Sequence, residues 1–284
     1  MTRYCGRNFN TEDIEKIRTL IREDPSRTRA DLSRLTCQRL DWRKPNGGLK
    51  DMACRVAMLR MHKDGLIELP PPRGLKPHCK IALTAHTEAQ PPLTQPVHTL
   101  PKPQLQLVSR TDSRLWNEYI ERYHYLGYTP LPGAQLRYFI TAGDRLLALL
   151  GFGAAAWQLA PRDTLIGCND TQRQEKLHLV VNNARFLILP WVQSKGLASK
   201  VLAITARQLP EDWFIHYGYR PVLMETFVDQ ARFRGTCYKA ANWVHVGQTQ
   251  GRGKLGPSGK HSVPIKDIWL YPLTRHFQRI LTAL

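Results

Sequence analysis

The sequence predicts an α+β chain in two domains, a helical front and a larger layer built on one central mixed sheet. Three observations carry this. Residues 1–69 hold three segments with apolar residues at helical spacing. Residues 70–104 are rich in proline and have little apolar periodicity. From 105 to 284 apolar runs of strand length alternate with helical ones, the pattern of an α/β layer.

Thr11 is positioned to cap a helix in which Ile14, Ile17, Leu20 and Ile21 share a face, and Asp24-Pro25-Ser26 ends it. Thr28 followed by Asp31 has the spacing of a capping box and opens a second helix with Leu32, Leu35 and Leu40 inward. Pro45-Asn46-Gly47-Gly48 is a turn. A third helix runs over about 49–63, with Met52, Val56 and Leu59 at helical spacing. Leu66 to Leu69 reads as a short strand. Three helices and a strand is the order of a winged helix-turn-helix, in which the third helix enters the major groove. Its exposed face would then carry Lys50, Arg55, Arg60 and Lys63. A small helical bundle with a solvated basic face is the alternative.

The stretch 70–104 reads as a semi-extended linker, because proline fixes φ and removes backbone donors. His78 beside Cys79 lacks the further ligands that a metal site needs. In the second domain a helix is expected over 115–128. Strands are expected over 135–141 and 146–151, joined by a Gly143-Asp144 hairpin turn, and again over 177–181 and 185–189. A helix over 197–209 follows, then an apolar strand over 221–228 interrupted by Glu225. A short helical segment carries Tyr238, and Val244, Val246 and Thr249 alternate as a strand.

Charge narrows the class of partner. The chain of 284 residues has a formal net charge of +18 with 42% hydrophobic residues, so it combines a real core with a strongly basic surface. From Gln230 to Lys266 there is no Asp or Glu. Arg232, Arg234, Lys239, Arg252 and Lys254 lie there among glycines and aromatics, and Asn242 and Trp243 close the helical segment. One sign of charge with close backbone approach suits a phosphate backbone, in duplex or single-stranded DNA. No apolar run is long enough to span a membrane and no leader is evident, so a cytoplasmic, nucleoid-associated protein is expected. The six cysteines are scattered without a C-x-x-C pair, which fits reduced thiols.

Between Arg185 and Ala198 a strand passes through a loop straight into a helix. Gln193, Gly196 and Ala198 fit the pyrophosphate-loop pattern of the GNAT acetyltransferases, with Lys195 beside them. Tyr238-Lys239-Ala240-Ala241-Asn242-Trp243 echoes that family's later helix and strand. The resemblance implies a GNAT-like fold, an acetyl-coenzyme A site at 193–198 and Tyr238 as general acid. The loop strand carries no Glu to serve as a base, and Asn242 stands where that family has glycine.

A second resemblance covers nearly the whole chain. It rests on Tyr123-His124-Tyr125-Leu126-Gly127, on 179–189, on Glu225-Thr226-Phe227-Val228-Asp229, on 234–243 and on Gly251-Arg252-Gly253. These phrases resemble the DruA family, named for the Druantia anti-phage defence system. The resemblance implies mobile-element or defence biology, a DNA partner, and other defence or transposition proteins as associates. It leaves the chemistry open, and homo-oligomerisation with it.

Glu225, Asp229 and Tyr238 are the candidate catalytic residues. A tyrosine becomes a nucleophile toward phosphorus when a nearby cation lowers the cost of ionisation. Glu225 and Asp229 would alternatively hold Mg²⁺ against a phosphate. The plain structural reading is that Glu225 pairs with a buried arginine, Asp229 caps the helix that follows and Tyr238 packs in the core. Asn182, Asn183 and Arg185 are ligand candidates of lower rank. No phosphate loop, HExxH or GxSxG motif occurs. The sequence thus points to a DNA-binding, strand-processing protein of transposase, recombinase or nuclease type. An acetyltransferase and a non-catalytic DNA-recognition subunit are the alternatives.

Overall fold

The computed structural model describes residues 2–44, 47–72, 81–131, 133–251 and 263–283. Two compact units divide the chain, residues 1–80 and 81–284.

The first unit opens with a hairpin absent from the sequence reading. Strands β1 (Thr2–Tyr4) and β2 (Arg7–Phe9) pair antiparallel, with Thr2 opposite Phe9. Helix α1 (Thr11–Glu23) is capped by Asn10 rather than Thr11. The Asn10 side chain accepts from the Asp13 amide at 2.7 Å, and the Asp13 carboxylate accepts from the Asn10 amide in return. Helix α2 (Arg29–Arg39) is capped by Thr28 as its spacing predicts. Helix α3 (Asp51–Lys63) buries Cys54, Ala57, Met58 and Met61. The expected inward face is therefore wrong: Met52 is 60% exposed, and Val56 and Leu59 are exposed as well. The strand expected over Leu66 to Leu69 is not formed; Ile67 and Leu69 fold into the core instead. The three helices stand, and the strand pair precedes them.

The second unit begins as a packed strap rather than a linker. Prolines withdraw donors, but the remaining polar groups are met by the sheet domain. Helix α4 (Ser113–Tyr123) supplies buried Glu118, which accepts from the Thr84 amide and from the hydroxyls of Thr84 and Thr87 at 2.9 and 2.8 Å. Tyr119 and Tyr123 donate to the carbonyls of His86 and Thr87. Leu93 exchanges both backbone hydrogen bonds with the 191–193 segment, at 2.8 Å each.

Strand β3 (Gln104–Leu107) then enters one seven-stranded sheet with β4 (Leu136–Ala142), β5 (Arg145–Ala154), β6 (Val180–Ile188), β7 (Leu223–Asp229), β8 (Val244–Gln248) and β9 (Lys266–Pro272). Its order is β3-β4-β5-β6-β7-β9-β8. Ala142 pairs with Arg145 around the Gly143-Asp144 turn. All neighbours are antiparallel except β6 and β7, which the crossover helix α7 (Leu197–Tyr217) joins in parallel. The two strands expected over 177–189 are one, β6. Helix α7 runs past Pro210, with Leu209 and Trp213 buried on either side of it. Short helices α5 (Ala160–Ile166), α6 (Asp170–Lys176), α8 (Thr236–Ala240) and α9 (Phe277–Thr282) complete the unit. Of these only α8 was expected, and β9 was also missed.

One feature of the sheet positions the candidate site. The β6–β7 pairing is short: Val180 meets Leu223, Val181 meets Met224 and Asn182 meets Glu225. Beyond that point no ladder joins the strands, and the residues that follow on both line a cavity. The carboxyl ends of parallel strands are where open α/β sheets place ligands.

Candidate functional site

The cavity has a volume of about 610 Å³, within the range of small-molecule and nucleotide sites. Its walls come from Asn182 to Ile188 of β6, Thr226 to Asp229 of β7, the segment after α4, the 233–238 turn and helix, and Lys266. Its charged lining is unequal. Arg185, Arg234 and Lys266 are cations, and Asp229 is the one carboxylate among the described lining residues.

Successive side chains of β7 point to opposite faces, and this separates the expected catalytic set. Thr226 donates to the Asn183 carbonyl at 3.0 Å and lies 3.5 Å from the Tyr238 hydroxyl. Glu225 turns the other way. Fully buried, it accepts from Arg162 Nη1 at 2.8 Å and from the Ala156 amide at 2.7 Å. Arg162 is equally buried and also reaches Asp163. Burial pushes the Glu225 carboxyl up, with Arg162 opposing. Both oxygens are thus engaged by protein donors, so neither the catalytic nor the metal role expected of Glu225 fits. Asp229 lies four residues along the strand, on the order of 13 Å away, too far to share an ion with it. Among the described residues no three His, Cys, Asp or Glu side chains gather as a metal set.

Asp229 is buried at the cavity wall. Its Oδ1 accepts from the Ala231 amide at 3.1 Å, and its carbonyl accepts from the amides of Arg232 and Phe233. It shapes the turn after β7, whereas the N-cap of α8 is Gly235. Gly235 has φ +68°, and a Cβ there would sit 2.8 Å from the Trp269 ring, so this turn needs glycine.

Tyr238, 7% exposed, packs edge-on against Trp243 at 5.1 Å between ring centres and stacks on Trp269. Its hydroxyl donates to Asn183 Oδ1 at 3.1 Å. Burial pushes the phenol well above its ordinary value. Lys239 is exposed and is not among the groups that shift the phenol, so the cation expected to ease its ionisation does not do so. The three expected catalytic side chains therefore do not meet, and Tyr238 is poorly placed as a nucleophile.

The expected DNA-contacting residues divide. Arg232 and Arg234 are exposed, Arg234 lining the cavity and Arg232 lying over the Tyr125 ring at 5.2 Å. Asn242 is exposed in the left-handed region at φ 62°. Trp243 is buried and offers no stacking surface. On α3, Arg60 and Lys63 are exposed, Lys50 is half-buried, and Arg55 lies 3.9 Å from Asp51. Arg252 and Lys254, like His78 and Cys79, lie outside the described residues.

The expected cofactor loop is partly covered by its own chain. The Gln193 amide donates to the Leu93 carbonyl, the Lys195 carbonyl accepts from the Val97 amide, and a Cβ at Gly196 would meet Val97 at 3.4 Å. Of the four loop candidates Gln193, Lys195, Gly196 and Ala198, only Ala198 reaches the cavity.

Sequence reasoning gave little weight to the residues at the cavity's basic end. Arg185 is 8% exposed; its Nη1 donates to Ala184 O at 2.8 Å and its Nη2 to Thr129 Oγ1 at 2.7 Å. Its Nε is buried without a partner among the described residues. His124 Nδ1 accepts from the Leu126 amide at 3.2 Å, which places the ring proton on Nε2. Burial, then Arg185 and Lys266, push the imidazole down to about 4, so it is neutral at physiological pH. The His124 ring stacks on Tyr125 at 4.9 Å, and Phe233 meets Tyr125 edge-on at 5.5 Å. The signal was present in the aromatic run from Tyr123, which reads more readily as core.

Residues 62–260 of the 284 match the family described as Druantia protein DruA. No curated protein matches by sequence. Among solved structures, a chimeric spermidine N-acetyltransferase SpeG from Vibrio cholerae is similar at 12% identity and a TM-score of 0.41. That likeness covers 61% of this chain and 96% of the other. An N-acetyltransferase from Staphylococcus aureus is similar at 11% identity and a TM-score of 0.37, covering 61% and 99%. With TM-scores this low, the likenesses bear on neither activity nor ligand.

Proposed function

The chain belongs to the DruA family, and from that premise we propose that it is a DNA-binding component of an anti-phage defence or mobile-element system. It acts by recognising nucleic acid for partner enzymes. One observation carries the DNA partner: where β6 and β7 part, a cavity lined by Arg185, Arg234 and Lys266 holds one carboxylate among its described lining residues, Asp229. Exposed Arg232, Arg60 and Lys63 extend the cationic surface in their own units, and the net charge of +18 favours a polyanion overall. The three-helix front, with Arg60 and Lys63 on α3, is a second contact to duplex DNA under this reading.

Recognition is favoured over strand cutting because the charge needed for either cutting chemistry is already committed. Glu225 is neutralised by Arg162, and the Tyr238 phenol is held protonated. An acetyltransferase would need the 193–198 loop open to a pyrophosphate, and the strap residues Leu93 and Val97 lie against it.

The test is a titration of fluorescent single-stranded and duplex DNA with the full chain at several salt concentrations, followed by incubation with Mg²⁺ and a denaturing gel. Binding that weakens steeply with salt, with intact strands and no protein–DNA adduct, is the expected result. Nicked or adducted DNA overturns recognition without cutting; absence of binding at low salt overturns the DNA partner.

A further inference from the structure

We propose that the cavity seats one nucleotide unit taken out of the base stack, with its phosphate held by His124, Arg185 and Lys266 and its base against the aromatic wall. The inference rests on the DNA reading above but adds to it, since surface binding of a duplex needs no cavity.

Four observations converge. The first is Arg185, a buried cation on a cavity-lining side chain whose Nε has no hydrogen-bond partner among the described residues. Two of its three nitrogens are tied to Ala184 and Thr129, so the guanidinium is held in place. A buried guanidinium is costly unless acceptors complete its hydrogen bonds. The second is the tautomer of His124. With Nδ1 accepting from Leu126, Nε2 keeps its proton and offers a neutral donor beside two cations. That is the arrangement for an oxyanion and not for a general base. Lys266 adds a point charge, and the Asp229 carboxylate is engaged by the Ala231 amide and lies 3.8 Å from Arg232.

The third observation is the apolar remainder of the wall. Phe186 and Phe233 line the cavity beside Tyr125, whose ring is held by His124 and Arg232 and meets Phe233 edge-on. Aromatic faces stack on any base, at about 1–3 kcal/mol per base. The fourth is size. A cavity of about 610 Å³ admits one nucleotide and no duplex. A base inside a duplex therefore reaches it only by being extruded, whereas a single strand or strand end offers one without that cost.

The same chemistry occurs in a free mononucleotide and in a nucleotide of a DNA strand, and the experiment separates them. The full chain is titrated by calorimetry with thymidine 5′-monophosphate and with thymidine. The bound fluorescent single strand is then challenged with each, and with a blunt duplex. The proposal expects the monophosphate to bind about tenfold or more tightly than thymidine and to displace the single strand. Lys266→Gln is expected to lower single-strand affinity about tenfold. Arg185→Gln should do the same where circular dichroism shows it folded. If the monophosphate binds but no DNA does, the pocket stands as a free-nucleotide site and the DNA reading falls. If both forms of DNA bind and neither the monophosphate nor Lys266→Gln alters single-strand binding, the DNA reading stands and the pocket proposal is overturned.

Discussion

Arg162 and Glu225 form an ion pair 2.8 Å long in which neither side chain is exposed to solvent. It joins α5 to the strand that borders the cavity. The Arg162 Nη1 also donates to the Ala156 carbonyl, and the Ala156 amide donates to Glu225, so the chain leaving β5 is clamped to β7. Removing one partner leaves a buried charge uncompensated, which costs about 3–5 kcal/mol. Glu225→Ala is therefore expected to destabilise the fold by that amount in urea or thermal unfolding. The double change Arg162→Met with Glu225→Met should recover most of it. Recovery of DNA binding together with stability identifies Glu225 as structural; a stable double variant that fails to bind assigns it a role in the site.

Tyr238→Phe distinguishes packing from chemistry. The phenylalanine ring retains the contacts with Trp243, Trp269 and Phe186 and loses only the hydroxyl that donates to Asn183. The expected cost is about 1 kcal/mol of stability, with DNA binding unchanged. A variant that folds as the parent does, but has lost a measurable activity of the assembled system by orders of magnitude, would restore Tyr238 as the reactive group.

The parts that were legible in the sequence share a cause. The crossover β6-α7-β7 was readable because an apolar strand, a glycine-led helix start and a second apolar strand are local signals. Thr28 as a cap was readable from spacing alone, whereas Asn10 lost to its neighbour Thr11 because either residue caps well. The inward face of α3 was misread since Met52, Val56 and Leu59 and the buried set Cys54, Met58 and Met61 both have helical spacing. A helix with apolar residues on two faces gives no unique answer. The strap was read as a linker because its anchoring lies in the domain it touches, at Glu118, Tyr119 and Tyr123. In the site, Glu225 was visible as a carboxylate in an apolar strand, but its partner lies 63 residues upstream. Arg185 and Lys266 converge only through the sheet order, and β9, which carries Lys266, was not read as a strand.

Salt dependence reports how many phosphates are engaged. Each phosphate neutralised lowers the log–log slope of affinity against salt by about 0.9 on duplex DNA and about 0.7 on single strands. Paired substitution of Arg60 and Lys63 by Gln is expected to make the duplex slope shallower by about 1 to 2 and to leave single-strand binding by the cavity intact. Unaltered duplex affinity and slope would remove α3 from the DNA-contacting surface.

Gly235→Ala tests the turn that carries Arg234. The backbone there is in the left-handed region, and the added methyl would press on the Trp269 ring at 2.8 Å. Strain and overpacking together predict a loss of about 1–3 kcal/mol. Trp269 stacks on Tyr238, so the displacement reaches the cavity wall. The checks are unfolding midpoint and single-strand affinity. A variant as stable as the parent would show that the turn relaxes without cost.

His124 makes stability and ligand binding depend on pH in one window. Its pKa in the folded chain is about 4, against an ordinary value near 6.5. The groups facing it are Arg185 from β6, Lys266 from β9 and the Tyr125 ring, with Asp229 of β7 acting on Tyr125. Between these two values the unfolded chain binds the proton and the folded chain does not, so stability is complete above about pH 6.5 and falls as pH drops toward 4. The loss from this residue is on the order of 2 kcal/mol once solvent screening is allowed for. A phosphate in the cavity offsets Arg185 and Lys266 and favours the imidazolium, so saturating thymidine 5′-monophosphate should shrink the acid-side loss. Urea unfolding from pH 4.5 to 7.5, with and without the monophosphate and in the parent and His124→Gln, measures both effects. His124→Gln is expected to flatten the profile. A profile that is the same in all four conditions would mean that His124 does not titrate against the cavity's charges.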